Sequence, residues 1–459
     1  MATMAKTTTP SHGAQAFRGD ERVATLTIVQ HPDVEKVGIG RVVPRTGGLA
    51  LGRDPRSSFN EALDTSGVSR SHARVERAGH EVVILDADSK NGSWLNGVRV
   101  TRAPLHDGDL VRVGAVLLYF HHAPRRTSAP ADPHLKGISP EIRELIDDIE
   151  LVAPRGTTAL VLGETGTGKE LVAHAIHQRS GRPGPLVPVD CTGLSDSLLG
   201  SELFGHGPGA YTGASQRRAG LVEAARGGTL FIDELGDASP RLQGALLRLL
   251  ESGTYRPLGD DRERQADVRV VVAAQPSVEA MVADQRMRLD LWTRLARWVV
   301  RVPPLRQRKM DIPVLAQRFA LELDPGTGAA QLTARLVERL MQHTWPGNVR
   351  ELRAVVERLI VHARGERPVD VQPWLEASLT GPQPDKPSAA GAADEAKQPE
   401  PEPPEGARTP VPTAEELLDR VRRLGGNVRA MALGYGVSRR TLYRWLSAAG
   451  IDPDHHRKA

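Results

Sequence analysis

The sequence predicts a multidomain chain: an all-β sandwich first, an α/β body with a helical lid next, and a small all-α module last. Three observations carry this reading. Residues 21–121 hold short alternating apolar runs separated by Gly, Asp and Asn turns, the pattern of half-buried strands. Residues 137–376 alternate apolar strand-like runs with amphipathic helical ones, as an α/β fold does. Residues 413–453 read as three short helices broken by glycine turns.

Composition agrees with this division. The chain has 459 residues, enough for about three domains at ~150 residues each. Lys and Arg number 60 against 56 Asp and Glu, a net charge of +4, so the molecule as a whole is no polycation. Residues 411–459 contain nine Lys/Arg and five Asp/Glu, and that segment alone accounts for the excess. Nucleic acid is the expected partner of such an end. The single cysteine, Cys191, excludes an intramolecular disulfide framework and a Cys-rich zinc site. No run approaches the ~18 apolar residues of a membrane span. Residues 1–20 are polar, lack the apolar core of a signal peptide, and read as a disordered tail. The expected location is cytoplasmic, with no membrane partner.

Two linkers are expected. Residues 381–410, inside a Pro-rich disordered linker over 377–412, contain eight prolines and no Val, Ile, Leu, Met or aromatic residue, too little apolar surface to offset ordering entropy. A shorter linker spans 122–136, with Pro124, Pro130 and Pro133. Residues 454–459 form a tail.

The first body is built from runs such as Ala24–Val29, Val82–Leu85 and Leu110–Phe120. Between them stand Gly52-Arg53, Ser69-Arg70-Ser71-His72, Asn91-Gly92-Ser93 and Asn96-Gly97. This order and spacing resembles the forkhead-associated (FHA) fold, an all-β sandwich that binds phosphothreonine peptides through loops at one end. The resemblance implies that Arg53 and Ser69 hold the phosphate, that Arg70 adds a second cation, and that Asn91 binds the peptide backbone. A phosphate presents several strong acceptors and most of two charges, which arginine meets with paired charge-assisted bonds. Asn96 opens a hairpin turn, and His72 reads as a packed, hydrogen-bonded histidine.

The second body opens with Ser139-Pro140-Glu141 ahead of Ile142, Leu145, Ile146 and Ile149, an N-capped helix with one apolar face. Next comes the buried strand Thr158–Leu162, then Gly163-Glu164-Thr165-Gly166-Thr167-Gly168-Lys169, then the helical run Glu170–His177. Strand, Gly-rich turn and helix are the context of a P-loop: backbone N–H groups close round phosphates and Lys169 reaches the β/γ oxygens. Position 170 is Glu where a Ser/Thr would ligate Mg²⁺. A second acidic source follows the strand Thr229–Ile232, at Asp233-Glu234. One acid can hold Mg²⁺ through water while the other polarises the attacking water; Asp233 is the expected metal ligand.

Residues 137–376 closely resemble the AAA+ domain of bacterial enhancer-binding proteins, the ATPases that activate sigma-54 RNA polymerase. The most specific elements are Glu202-Leu203-Phe204-Gly205-His206 and Gly209-Ala210-Tyr211-Thr212-Gly213-Ala214. In that family the second reads GAFTGA and forms a mobile loop that touches the sigma factor; Tyr211 keeps the aromatic ring. Glu at position 170 is usual there. The resemblance also implies that Arg288 and Arg294 act as arginine fingers in a neighbouring subunit's site, which requires a homo-oligomeric ring, a hexamer by resemblance. Arg350, in Trp345-Pro346-Gly347-Asn348-Val349-Arg350, corresponds to the lid arginine that senses nucleotide. Ala274-Gln275 stands where the family has Thr-Asn, so the hydrogen-bonding role falls to Gln275. Asp190 stands where the family often has an Asn that restrains the catalytic Glu, and so places a like charge near Glu234 unless it is protonated or paired. An α/β AAA+ P-loop ATPase subdomain over 137–302 with a helical lid over 303–376 is expected.

The third body places Gly425-Gly426 between its first two helices, and Ser438 before Arg439-Arg440-Thr441-Leu442-Tyr443-Arg444-Trp445-Leu446. It resembles the Fis-type helix-turn-helix, an all-α DNA-binding module. Leu442, Trp445 and Leu446 pack inward, leaving Arg439, Arg440, Thr441, Tyr443 and Arg444 for DNA.

Taken together, the resemblances imply an ATP- and Mg²⁺-dependent transcription activator. It binds upstream enhancer DNA, remodels sigma-54 RNA polymerase holoenzyme to the open complex, and answers to a phosphothreonine-bearing protein or Ser/Thr kinase. The rival reading, motivated by Asp190, Ala274 and Gln275, is a phosphopeptide-dependent DNA-binding scaffold whose ring binds ATP without remodelling.

Overall fold

The computed structural model describes residues 22–59, 62–124, 132, 134–191, 196–210, 216–324, 332–363, 368–375, 412–423, 431, 445–446 and 449. The chain divides into two compact units, Met1–Gln383 and Pro384–Ala459. Among the described residues no helix is long and apolar enough to cross a membrane.

The first unit opens with ten strands: β1 (Arg22–Gln30), β2 (Gly40–Val42), β3 (Leu49–Leu51), β4 (Ala73–Ala78), β5 (Glu81–Asp86), β6 (Ser93–Leu95), β7 (Val98–Val100), β8 (Arg102–Leu105), β9 (Leu110–Val113) and β10 (Val116–Pro124). They make two antiparallel sheets, β2-β1-β10-β9-β6-β7 and β3-β4-β5-β8. Leu26 and Ile28 on β1, with Leu118 and Phe120 on β10, face Val75 and Ile84 of the other sheet in one buried core. The single apolar run expected over Leu110–Phe120 is two strands: Gly114, at φ 59°, turns the chain between Val113 and Val116. The strand continues to Pro124, three residues into the expected linker, because β1 pairs with it as far as Arg22↔Pro124.

A five-stranded parallel sheet follows, from β11 (Ala159–Leu162), β12 (Leu186–Asp190), β13 (Thr229–Asp233), β16 (Arg269–Ala274) and β17 (Val299–Arg301), in the order β12-β13-β16-β11-β17. Between β13 and β16 lies a short antiparallel pair, β14 (Thr254–Tyr255) and β15 (Arg264–Gln265). Strands β11 and β16 are buried along their whole length, as central strands covered on both faces must be. Helix α1 (Pro140–Val152) buries Ile142, Leu145, Ile146 and Ile149, and Ser139 Oγ caps it by accepting from Ile142 N. Around the sheet lie α2 (Lys169–Arg179), α3 (Asp196–Phe204), α4 (Leu221–Ala224), α5 (Pro240–Ser252), α6 (Val278–Ala283) and α7 (Leu289–Leu295).

Among the described residues the lid is built mainly from α8 (Asp311–Leu323), α9 (Ala334–Gln342) and α10 (Asn348–Ala363). Their core joins Phe319, Leu336, Leu340, Trp345 and Val356, and it also takes in Val29 of β1, Leu110 of β9 and Leu117 of β10. Residues 24–30 of β1 are therefore all buried, with one face in the sandwich and the other toward the lid. Gln30 Nε2 donates to Leu332 O at 3.0 Å, and Arg112 Nε meets the buried carboxylate of Glu338 at 3.3 Å.

In the second unit α11 (Ala414–Arg423) contributes Leu417 and Val421 to a cluster with Met431, Trp445 and Leu446. The expected DNA-facing residues Arg439, Arg440, Thr441, Tyr443 and Arg444 lie outside the described residues, as do the expected tails and most of the Pro-rich linker.

Candidate functional site

The parallel sheet decides where the chemistry can sit, because ligands of such sheets bind beyond the carboxyl ends of the strands. Strand β11 ends at Leu162 and α2 starts at Lys169, so residues 163–168 turn through a tight cradle. Gly166 and Gly168 hold φ of 77° and 100°, which L side chains rarely adopt. A Cβ on Gly166 would also overlap the carbonyl of Gly347 in the lid. Thr167 is buried, and its Oγ1 donates to Glu164 O at 2.7 Å. Thr165 and Glu170 are exposed.

Lys169 is only 7% exposed; its Nζ donates to Gly163 O at 3.1 Å and reaches Glu234 Oε1 at 3.4 Å. Glu234 follows the end of β13 at φ 52°, an uncommon conformation for a side-chain-bearing residue. Gln275, beyond the end of neighbouring β16, donates to the other oxygen of Glu234 at 3.3 Å. The cradle lysine, the acid and the polar residue after β16 thus form one connected set.

Asp233 accepts from Glu234 N at 3.0 Å. Burial, then the charge of Glu234, push its carboxyl above the usual range, and Asp190 adds to the shift. Asp190 ends β12 directly opposite Asp233 in the parallel register. Its charge was expected near Glu234; the register sets it opposite Asp233, the residue that adjoins Glu234.

The lid grips the cradle at several points that sequence reasoning missed. Arg306 binds Glu164 with two bonds of 2.7 and 2.5 Å, which hold that carboxyl below its usual range. Asn348 Nδ2 donates to Glu164 Oε2 and Thr165 O, at 3.1 and 3.0 Å. Arg308, itself buried, donates to Thr167 O at 2.9 Å, and Val349 N to Gly166 O at 3.0 Å. Arg350 is exposed on the first turn of α10, next to Gly166. A signal was present in the basic stretch Arg306-Gln307-Arg308-Lys309 at the start of the lid, but nothing local ties it to the P-loop.

Arg288 and Arg294 are placed differently. Arg288 makes bonds of 3.0 and 2.7 Å to Asp290, and Arg294 meets Glu251 at 3.1 Å. Among the described residues neither bonds to the cradle of its own chain. Gly209 and Ala210 are described; Tyr211, Thr212, Gly213 and Ala214 lie outside the described residues.

At the sandwich, the loops bring four expected residues to one end. Arg53 N donates to Ser69 O at 3.0 Å and Arg53 Nε to Val68 O at 2.6 Å, which leaves the terminal amino groups of an exposed guanidinium for a ligand. Ser69 Oγ accepts from Lys90 N at 3.1 Å, and its hydrogen remains for donation. Arg70 is exposed, and Asn91 Nδ2 donates to Gly67 O at 2.8 Å. His72 is fully buried, with Nδ1 accepting from Ser69 N at 3.0 Å. Lys90 adds an exposed cation that sequence reasoning left out.

The donor set fits a triphosphate: a glycine-bearing turn, a helix N-terminus and a buried lysine. It also fits Mg²⁺, which takes one or two carboxylates and completes its shell with phosphates and water. Asp233 supplies such a carboxylate, and no cluster of three or more His, Cys, Asp or Glu able to hold a metal exists among the described residues.

Three family models match parts of the chain. The family described as the sigma-54 interaction domain matches residues 135–301, the AAA+ ATPase lid domain matches 306–389, and the FHA domain matches 49–114. The transcriptional regulatory protein ZraR of Klebsiella oxytoca is 40% identical over 315 residues, 68% of either chain. The Nif-specific regulatory protein of Azotobacter vinelandii is 45% identical over 224 residues, 48% of this chain and 43% of that protein. The crystal structure of NtrX from Brucella abortus in complex with ATP is 30% identical over 70% of each chain, with a TM-score of 0.48.

Proposed function

The chain belongs to the family of transcriptional regulators built on a sigma-54 interaction domain, and we propose that it is an ATP-hydrolysing activator governed by a phosphothreonine signal. The observation that carries the proposal is the contact of Lys169 and Gln275 with the two oxygens of Glu234 at the mouth of the cradle.

The residues divide the work. Backbone N–H groups of 163–168 and the N-terminus of α2 bind the phosphates, and Lys169 turns from Glu234 to the β/γ oxygens. Asp233 would hold Mg²⁺, which would neutralise charge on the phosphate oxygens. Glu234 then accepts a hydrogen bond from the attacking water and orients it, with Gln275 fixing the carboxylate. Arg350 approaches the phosphates from the lid.

Among the described residues Arg288 and Arg294 have no bond to their own cradle, which suits fingers reaching a neighbour's site in a hexameric ring. The loop Gly209–Ala214 then contacts sigma-54 in the polymerase holoenzyme, and the C-terminal module, through Arg439, Arg440, Thr441, Tyr443 and Arg444, tethers the ring to upstream DNA. Arg53, Ser69, Arg70 and Asn91 receive the phosphothreonine.

ATP turnover per subunit, followed across dilution, tests the reading. Turnover should rise with protein concentration, and Glu234→Ala should lower it by about 10²-fold or more while nucleotide binding persists. Wild type and variant hydrolysing at one background rate would instead favour the scaffold reading that Asp190, Ala274 and Gln275 motivate, Asp190 standing opposite Asp233 in the register.

A further inference from the structure

The peptide-binding end of the sandwich does not open onto bulk solvent alone. Asn91 stands at one side of a cleft of about 430 Å³ whose opposite wall is the lid, at Thr333 and Arg335. Three further features characterise the cleft.

Its charge is of one sign. Arg112 and Arg335 line it together with the neutral ring of His31, and among the described residues no carboxylate does. Glu338, the acid that meets Arg112, has a side chain only 4% exposed and is already engaged. Arg112 is held in place, since its guanidinium also lies 4.5 Å over the ring of Trp94. Arg335 is exposed.

His31 supplies an unmet donor. The residue is 4% exposed, and its Nδ1 accepts from Asp33 N at 2.8 Å. Burial lowers its pKa, so the ring is neutral. With Nδ1 accepting, the proton lies on Nε2; the Ala62 carbonyl lies near the ring, yet Nε2 closes no hydrogen bond of ordinary geometry among the described residues. A buried donor without an acceptor is costly, and an acceptor-rich ligand would relieve that cost.

The cleft also joins two bodies. Leu332, which takes a hydrogen bond from Gln30 of β1, leads into Thr333 and Arg335.

We infer that this cleft receives the acidic flank of the phosphothreonine peptide, so that one ligand touches sandwich and lid together. The inference rests on the phosphopeptide reading of Arg53, Ser69, Arg70 and Asn91. The phosphate is held by the loops, while carboxylates of neighbouring peptide residues meet Arg335 and the His31 donor. Because the lid grips the cradle through Arg306, Arg308 and Asn348, such a ligand would bear on the site of hydrolysis.

The test uses the full chain and two synthetic phosphothreonine peptides, one with Asp and Glu on both sides of the phosphothreonine and one with Ala there. Binding is read by fluorescence anisotropy. The acidic peptide should bind more tightly, and Arg335→Glu should weaken it by about fivefold to tenfold, as reversal of a rim charge does, while leaving the Ala peptide unchanged. His31→Phe should likewise weaken only the acidic peptide. If both variants treat the two peptides alike while Arg53→Ala abolishes binding of each, the phosphopeptide reading stands and the cleft inference fails. If Arg53→Ala changes neither peptide, the phosphopeptide reading fails and takes this inference with it.

Discussion

Glu234 and His121 show how single residues carry the burden of their surroundings. Glu234 holds a left-handed backbone, φ 52°, at a cost of order 1–3 kcal/mol, and is kept there by Lys169 and Gln275. Ala274 leaves no hydroxyl beside it, and the longer side chain of Gln275 spans the gap. His121 is buried at 8% exposure with Nε2 2.9 Å from Thr27 Oγ1. Burial lowers its pKa from 6.5 to about 4. Between those values the unfolded chain takes up a proton that the folded chain refuses, so stability is lost as pH falls from 6.5 towards 4. At ~1.36 kcal/mol per unit this residue alone accounts for a loss of about 3 kcal/mol. Denaturant titrations across that window should show a shallower pH slope in His121→Gln than in wild type; equal slopes would contradict the assignment.

Among elements, the contact of β1, β9 and β10 with the lid matters most. Arg112 and Glu338 have side chains 18% and 4% exposed, and burial raises the Glu338 carboxyl above its usual range. Removing one member of a buried pair strands the other, at about 3–5 kcal/mol. Arg112→Ala should therefore destabilise the folded chain by roughly 3 kcal/mol, and adding Glu338→Ala should recover part of the loss in a double-mutant cycle. Additive losses would refute the coupling. This packing was hidden in the sequence because Thr25 and Thr27 alternate with Leu26 and Ile28 as solvent-facing residues would, yet both are buried at 9% and 6%. The cradle, by contrast, was fully legible, since its glycines, lysine and flanking strand and helix are contiguous. So was the inward face of α1, because Ile142, Leu145, Ile146 and Ile149 follow the helical period. The latch between Arg306 and Glu164 was not, since 142 residues separate two charges that each read as solvated. The split of Leu110–Phe120 into two strands turned on Gly114, whose positive φ an apolar run conceals.

At the scale of the whole molecule, the first unit is a chain of mechanical contacts: sandwich on lid, lid on cradle, cradle on the acids after β13. The arginines at 288 and 294 are held by Asp290 and Glu251 and, among the described residues, make no bond to their own cradle, which fits the proposal of a site completed by a neighbouring subunit. On the proposed function, signal reception in the sandwich and hydrolysis at the cradle would be parts of one device, with the loop Gly209–Ala214 as its output. The most direct measurement of this claim is open-complex formation by sigma-54 RNA polymerase on a promoter carrying an upstream site for the full chain. The account predicts open complexes with wild type and ATP, and none with Glu234→Ala although that variant still binds nucleotide. Equal open-complex yield from wild type and variant, or none from wild type with or without a phosphothreonine ligand, would contradict it.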